Sequence, residues 1–302
     1  MTPGFATPEG TARFAARFPR VKYRAFGELS LSPLGLGTYL GADDDATDGR
    51  YAEAVVRALQ LGVNVIDSAI NYRNQRSERA VGRALRSAGV PRDELVISTK
   101  GGFIPRGMDT SILGPGELVA GCHAMTPAWL ADQLRRSREN LGLDVIDIYY
   151  VHNPETQLGE VPRAEFLRRM RAAFEALERA ASDGHIRVYG TATWNGYRAR
   201  GQLRLDELVA IAREVGGERH RFRVVQLPYN QAMTEARDQG FFDAARAAGI
   251  YTMISGTILQ GRLAGDLEAA LRFVVDTPGV GTALCGMSRV AHVERNAAVV
   301  LS

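Results

Sequence analysis

Apolar and polar positions follow two rhythms along this chain. Short runs rich in Val, Ile, Leu and Tyr recur at PLGLGT (33–38), NVID (64–67), LVISTK (95–100), IDIYYVH (146–152), IRVYGTA (186–192), RVVQL (223–227), YTMIS (251–255) and VGTALC (280–285). Near-continuous apolar runs of this length suit strands covered on both faces, as in parallel sheets. Between and after them, helical patterns occupy 51–61, 77–88, 127–141, 163–182, 205–215, 240–248, 266–276 and 290–300. Several of these open on Thr, Ser, Pro or Asp, as helix starts prefer.

Eight strand–helix pairs without a break predict one closed parallel barrel, the (β/α)8 or TIM fold of the α/β class, which takes about 250 residues. The barrel is expected over 21–302 as a single domain. A short hairpin, KYRAF then LSLS about Gly27 and Glu28, should precede its first strand. Residues 1–20, rich in Gly, Pro, Thr and Arg, read as an irregular N-terminal extension. A doubly wound dinucleotide fold would need G-x-G-x-x-G after its first strand. Here Gly35, Gly37 and Gly41 form G-x-G-x-x-x-G, one residue too long. The longest segment without periodicity, 101–124, leaves the C-terminal end of the third strand, the face where barrels keep their chemistry, and a loop that long predicts a function.

Composition narrows the class. With 302 residues, 45% of them apolar, the chain can bury a sizeable core. Its apolar runs are too short to cross a bilayer, and its first residues lack the regions of a signal peptide, which predicts a cytoplasmic protein. Two cysteines, Cys122 and Cys285, exclude a disulfide scaffold and fit a reducing compartment. Net charge is +3 with arginines scattered over presumptive helix faces, so neither nucleic acid nor a membrane is the expected partner. A small molecule is. Of 37 basic side chains only Lys22 and Lys100 are lysines. Lys100 ends an apolar run inside the fold, where a compact ammonium can tune a neighbour's proton at close range.

In a barrel, neighbouring strands empty into one bowl. Asp67 ends the second strand candidate, Lys100 the third and His152 the fourth, and Tyr72 lies five residues beyond Asp67. Singly, each has a plain structural use: an Asp holding loop amides, a core histidine, a packing tyrosine. Together they make a proton-donating set, because an ammonium favours phenolate over phenol, whose ordinary pKa is about 10, and a carboxylate keeps the ammonium charged. A general acid of this kind contributes roughly 10²–10⁴ in rate. The set holds no electron source, so a reduction would need a cofactor. Cys122 and His123 lack a second pair at metal-ligand spacing, and no metal is expected.

Several stretches resemble the aldo-keto reductase family, from Tyr23 to the C-terminus: SPLGLGT, GVNVIDSAINY with SERAVG, VISTKGG and DVIDIYYVHNP. The resemblance implies Tyr72 as general acid, Asp67 and Lys100 as the pair that tunes it, and His152 as the group orienting a carbonyl. It implies NADPH (NADP+) lying across the barrel mouth. Thr38, Thr193, Gln226, Tyr229, Ser255, Gly256, Gln260, Arg262, Ser288, Arg289 and Asn296 are then the expected cofactor contacts, with Ser288 and Arg289 at a 2′-phosphate. Tyr39 and Trp194 are expected at the substrate. Two departures stand out. The Ser-Asn pair usual in the family is Ala192-Thr193, and the glutamate usual before Asn296 is Arg295. Substrate choice should lie in 101–124, the stretch from Trp194 to Arg204 and the C-terminal end, with an open pocket. The expected activity is reduction of an aldehyde or ketone to an alcohol. Two rival readings remain, a cofactor-binding regulatory or sensor protein with little turnover, and a metal-dependent hydrolase using Asp67 and His152.

Overall fold

In the computed structural model, which describes residues 1–199 and 202–301, all eight apolar runs are strands of one sheet. The hairpin strands β1 (Arg24–Phe26) and β2 (Leu29–Leu31) pair antiparallel, Arg24 opposite Leu31. The barrel strands are β3 (Leu34–Gly37), β4 (Val65–Asp67), β5 (Val96–Gly101), β6 (Ile146–His152), β7 (Ile186–Ala192), β8 (Phe222–Pro228), β9 (Tyr251–Ser255) and β10 (Thr282–Gly286). They run parallel in that order, and β10 closes on β3. The helices are α1 (Pro8–Ala16), α2 (Asp45–Gln60), α3 (Arg76–Ser87), α4 (Pro127–Leu141), α5 (Arg163–Ser182), α6 (Leu205–Gly216), α7 (Glu235–Asp238), α8 (Phe241–Ala247), α9 (Leu267–Val275) and α10 (Val290–Val300). A (β/α)8 barrel is therefore the fold.

Strand alternation sorts the apolar side chains into two shells. Val65, Val96, Ile148, Tyr150, Val224, Met253 and Leu284 fill the interior. Leu36, Ile66, Ile97, Tyr149, Phe222 and Val225 face outward under the helices. Each such aliphatic or aromatic side chain contributes roughly 1.5–3 kcal/mol when fully buried.

The N-terminal segment differs from the expectation of an irregular extension, because residues 8–16 are helical. Thr7 caps α1 by accepting from the Gly10 amide at 2.9 Å, and Pro8 stands in the first turn, where its missing N–H costs nothing. Phe14 is fully buried against Phe18 and Tyr23. Ahead of the helix, the Ala6 amide donates to Asp147 Oδ1 at 2.7 Å, while Asp147 Oδ2 accepts from Arg92 Nη2 at 2.6 Å and the Ile97 amide at 2.7 Å. Residues 1–16 and the hairpin thus close the N-terminal end of the barrel and leave the C-terminal end as the open one. Helix α2 begins six residues before its apolar pattern does, because Asp44 caps it at the Thr47 amide. The four-residue α7 carried no pattern.

Candidate active site

Register brings the expected residues together. Asp67 lies opposite Ser98, Lys100 opposite Tyr150, His152 opposite Ala192, and Ala192 opposite Gln226, so their side chains rise around one end of the barrel. Lys100 is wholly buried, and its ammonium donates to Asp67 Oδ2 at 2.5 Å and to the Ser68 carbonyl at 2.6 Å. The other Asp67 oxygen accepts from Ser98 Oγ at 2.7 Å and from Gln226 Nε2 at 3.0 Å. Lys100 Nζ stands 4.7 Å from the centre of the Tyr72 ring. Tyr72 meets Tyr39 edge-on at 5.0 Å and His152 at 5.7 Å.

The loop that carries Tyr72 is held from behind. Arg73, Asn74 and Gln75 all have positive φ (47°, 51° and 70°), an uncommon run for side-chain-bearing residues that turns the chain from the strand end into α3. Arg73 secures it. Its guanidinium is buried, donating to Asp48 Oδ1 at 2.6 Å and to the carbonyls of Ala42 at 2.8 Å and Asp44 at 3.0 Å. Sequence reasoning passed over this residue among many arginines; its only sequence signal is adjacency to Tyr72.

Electrostatics follow from burial. Burial raises the Tyr72 phenol above its ordinary value, and the opposing pull of Lys100 does not overcome it, so the group is a stable proton carrier at neutral pH. Burial works against the Lys100 ammonium, but Asp67 and Tyr72 hold it above the ordinary lysine value. His152 is pushed well below the ordinary histidine value, by burial first and then by the neighbouring Lys100 ammonium and His123 ring, which keeps its imidazole neutral. Its Nδ1 is buried and has no partner among the described residues.

From these groups a cavity of about 610 Å³ runs across the barrel mouth to α10. Asp67, Tyr72 and His152 lie on its wall, and so do Thr38, Tyr39, Thr193, Trp194, Gln226, Ser255, Gly256, Gln260 and Asn296. Lys100 lies beneath it. Four expected contacts are not on the wall. Tyr229 is three residues past Gln226 and so on the opposite side of the strand, where it stacks on Phe273 at 5.2 Å and shares a hydrogen bond with Thr277 Oγ1 at 3.1 Å. Arg262 is exposed beyond the wall. Ser288 and Arg289 precede α10, whose cavity-facing residues come later on one helix face: His292, Arg295 and Asn296. Of the loop 101–124 only Phe103 reaches the cavity, and residues 200 and 201 of the Trp194–Arg204 stretch, like 302, lie outside the described residues.

Sequence reasoning also missed Glu155. Its Oε1 accepts from the amides of Trp194, Asn195 and Gly196 at 2.9, 3.0 and 3.2 Å and so fixes the turn that carries Trp194. Gly256, at φ +62°, lies against that indole, and a Cβ there would stand 3.4 Å from Trp194 Cη2.

The profile of the aldo/keto reductase family matches residues 33–269. The chain belongs to that family. An aldo-keto reductase of Mycobacterium avium is 29% identical over 167 residues, 55% of this chain and 46% of its own length. The NADH-specific methylglyoxal reductase of Escherichia coli is 26% identical over 247 residues, 80% of this chain and 68% of its own. The chain thus spans about half the length of the mycobacterial relatives it matches. Among solved structures, an aldo-keto reductase of Klebsiella pneumoniae in complex with NADPH superposes with a TM-score of 0.67 at 21% identity, covering 93% of this chain and 89% of that one. The holo form of an aldo-keto reductase from Bacillus halodurans gives 0.69 at 20% identity, covering 93% and 91%. These likenesses agree with the barrel.

Proposed function

We propose that this aldo/keto reductase family member reduces an aldehyde or ketone to an alcohol with NADPH, Tyr72 donating the proton. The observation that carries the reading is one cavity that joins the Asp67–Lys100–Tyr72–His152 group to a far end carrying the Arg295 guanidinium. The wall fits a dinucleotide. Thr193 Oγ1 is buried there with no partner among the described residues. Gly256 and Gln260, both on the wall, have positive φ, a backbone form that can turn an N–H group toward phosphate. In this reading Arg295, on the cavity wall, serves in place of Arg289, because a guanidinium pairs well with a 2′-phosphate.

When bound, the nicotinamide supplies a hydrogen and an electron pair to the carbonyl carbon. The rest falls to the chain. His152, neutral, hydrogen-bonds the carbonyl oxygen and orients it. As negative charge grows on that oxygen, the Tyr72 O–H bond breaks and its proton completes the alcohol. The phenolate left behind faces the Lys100 ammonium, whose charge Asp67 secures, and Tyr72 regains its proton from water. Tyr39, Phe103 and Trp194 offer aromatic walls at this end of the cavity, which favours a neutral, partly apolar carbonyl over an anionic one. Oligomeric state plays no part in this reading.

Titration of the protein with NADPH and with NADH, followed by tryptophan fluorescence, tests the cofactor half. Trp129 is buried away from the cavity, so quenching should report Trp194 and vanish in Trp194→Phe. NADPH is expected to bind more tightly than NADH, and more weakly to Arg295→Ala. Absence of binding by either nucleotide would overturn the reading.

A further inference from the structure

The loop 101–124 returns to the active site through a buried residue that the mechanism does not use. His123 is fully buried, its Nε2 2.7 Å from the His152 carbonyl and its Nδ1 2.9 Å from Gln157 Nε2. Gln157, also fully buried, accepts at Oε1 from Arg169 Nη1 at 2.6 Å. These contacts have only one self-consistent direction. A guanidinium donates and never accepts, so the Gln157 oxygen must face Arg169 and its NH2 must face His123. His123 Nδ1 is therefore the acceptor, the ring proton is on Nε2, and that proton is donated to the His152 carbonyl.

We propose that Arg169, Gln157 and His123 form a one-way hydrogen-bond relay that sets the placement of His152 and ties the loop 101–124 to it, with His123 as the positioning residue. The inference deepens the reading of this site as a carbonyl reductase and rests on it. Two observations make His152 depend on such a support. Its own Nδ1 has no partner among the described residues, so its ring is placed by its main chain and by its neighbours rather than by a hydrogen bond at that atom. One of those neighbours is Phe103, which stands perpendicular to both His152, at 5.1 Å, and His123, at 5.2 Å. His123 thus touches both determinants, the carbonyl of His152 and the aromatic wall beside it.

The packing leaves little slack. At Gly102, with φ +137°, a Cβ would fall 2.7 Å from His123 Nε2 and 3.0 Å from the His152 carbonyl. Arg169 also binds the middle of the loop, donating through Nη2 to the Gly116 carbonyl at 2.9 Å, and is itself held by Glu165 at 2.8 Å. One guanidinium therefore holds both the relay and the loop. Burial depresses the His123 imidazole to about 4, and its bond to the His152 carbonyl only partly offsets this, so the ring keeps its acceptor throughout the neutral range.

The test uses three variants. His123→Phe keeps a ring against Phe103 and loses both hydrogen bonds, Gln157→Leu removes the middle link, and Arg169→Met cuts the relay at its half-buried outer end, where folding is least at risk. Each is expected to lower kcat by about tenfold to a hundredfold, the scale on which small misplacements act. NADPH affinity should stay within about twofold, and the His123→Phe, Gln157→Leu double variant should be little worse than either single one, as for residues acting as a unit. Unchanged kcat in folded variants overturns the proposal, as do additive losses. Imidazole nitrogen NMR of the parent protein reads the relay without turnover: a neutral His123 protonated on Nε2 is expected, and a proton on Nδ1 overturns it. A parent protein that binds NADPH and reduces no carbonyl would instead overturn the functional reading and leave the relay to the NMR result.

Discussion

At the residue scale the site works by keeping charge where it is needed. Tyr72 carries a proton that burial makes hard to remove, and Lys100 is cationic despite burial because Asp67 sits 2.5 Å away. The direction of these shifts sets a pH profile. An acid must be protonated to act, so with Tyr72 as the proposed acid activity is expected below its pKa and lost as pH rises through it, and that pKa lies above the ordinary tyrosine value. The proposed mechanism uses His152 neutral, and its depressed pKa moves any acid limb below the ordinary histidine value. The expected kcat/KM is flat between about pH 6.5 and about pH 10. A limb inside that window, measured with cofactor saturating, would contradict the assignment. The convergence of these four residues was legible in sequence because each ends or follows an apolar run, where a polar group is conspicuous. Tyr229 misled for the converse reason: its closeness to Gln226 along the chain hid the alternation that turns it to the opposite side.

At the element scale the informative features are the connections. The loop between β4 and α3 holds three successive left-handed residues, a conformation that persists only where its surroundings impose it. Arg73 supplies that restraint from the start of α2. Arg73→Met removes three hydrogen bonds of a buried cation but leaves Asp48 with Arg76 at 2.8 Å. A stability loss of about 2 kcal/mol is expected in chemical denaturation, together with a fall in kcat as Tyr72 loses its placement. Unchanged stability and unchanged kcat would show that the loop holds itself. None of this was legible in the sequence. Arg73 is one arginine among 35 of the 37 basic residues, and nothing in its neighbours marks it as buried. The strands and most helix boundaries were legible, because apolar runs and capping residues are local signals. Helix α1 was not, since its buried residues, Gly10, Thr11 and Phe14, include one large apolar side chain and so make no apolar periodic pattern. The site's long-range ties, Glu155 to Trp194 and His123 to His152, join residues 39 and 29 positions apart.

At the scale of the whole molecule the two ends of the barrel divide the work. The N-terminal end is closed by residues 1–16 and the hairpin, centred on Asp147 and its bonds to Ala6, Arg92 and Ile97. The C-terminal end stays open and carries every residue proposed for chemistry. The cavity there couples a proton-donating group to a cationic end that suits a phosphate-bearing cofactor, and Arg295, a departure from the family pattern, is part of that end. The central claim is that Tyr72 supplies the proton in a reduction driven by NADPH. The most direct test is the rate of NADPH oxidation with a panel of aldehydes and ketones, for the parent protein and for Tyr72→Phe at saturating cofactor. The account predicts turnover by the parent protein and a loss of at least about a hundredfold in the variant, the scale of a general acid, with NADPH affinity nearly unchanged. Full activity in Tyr72→Phe would contradict it.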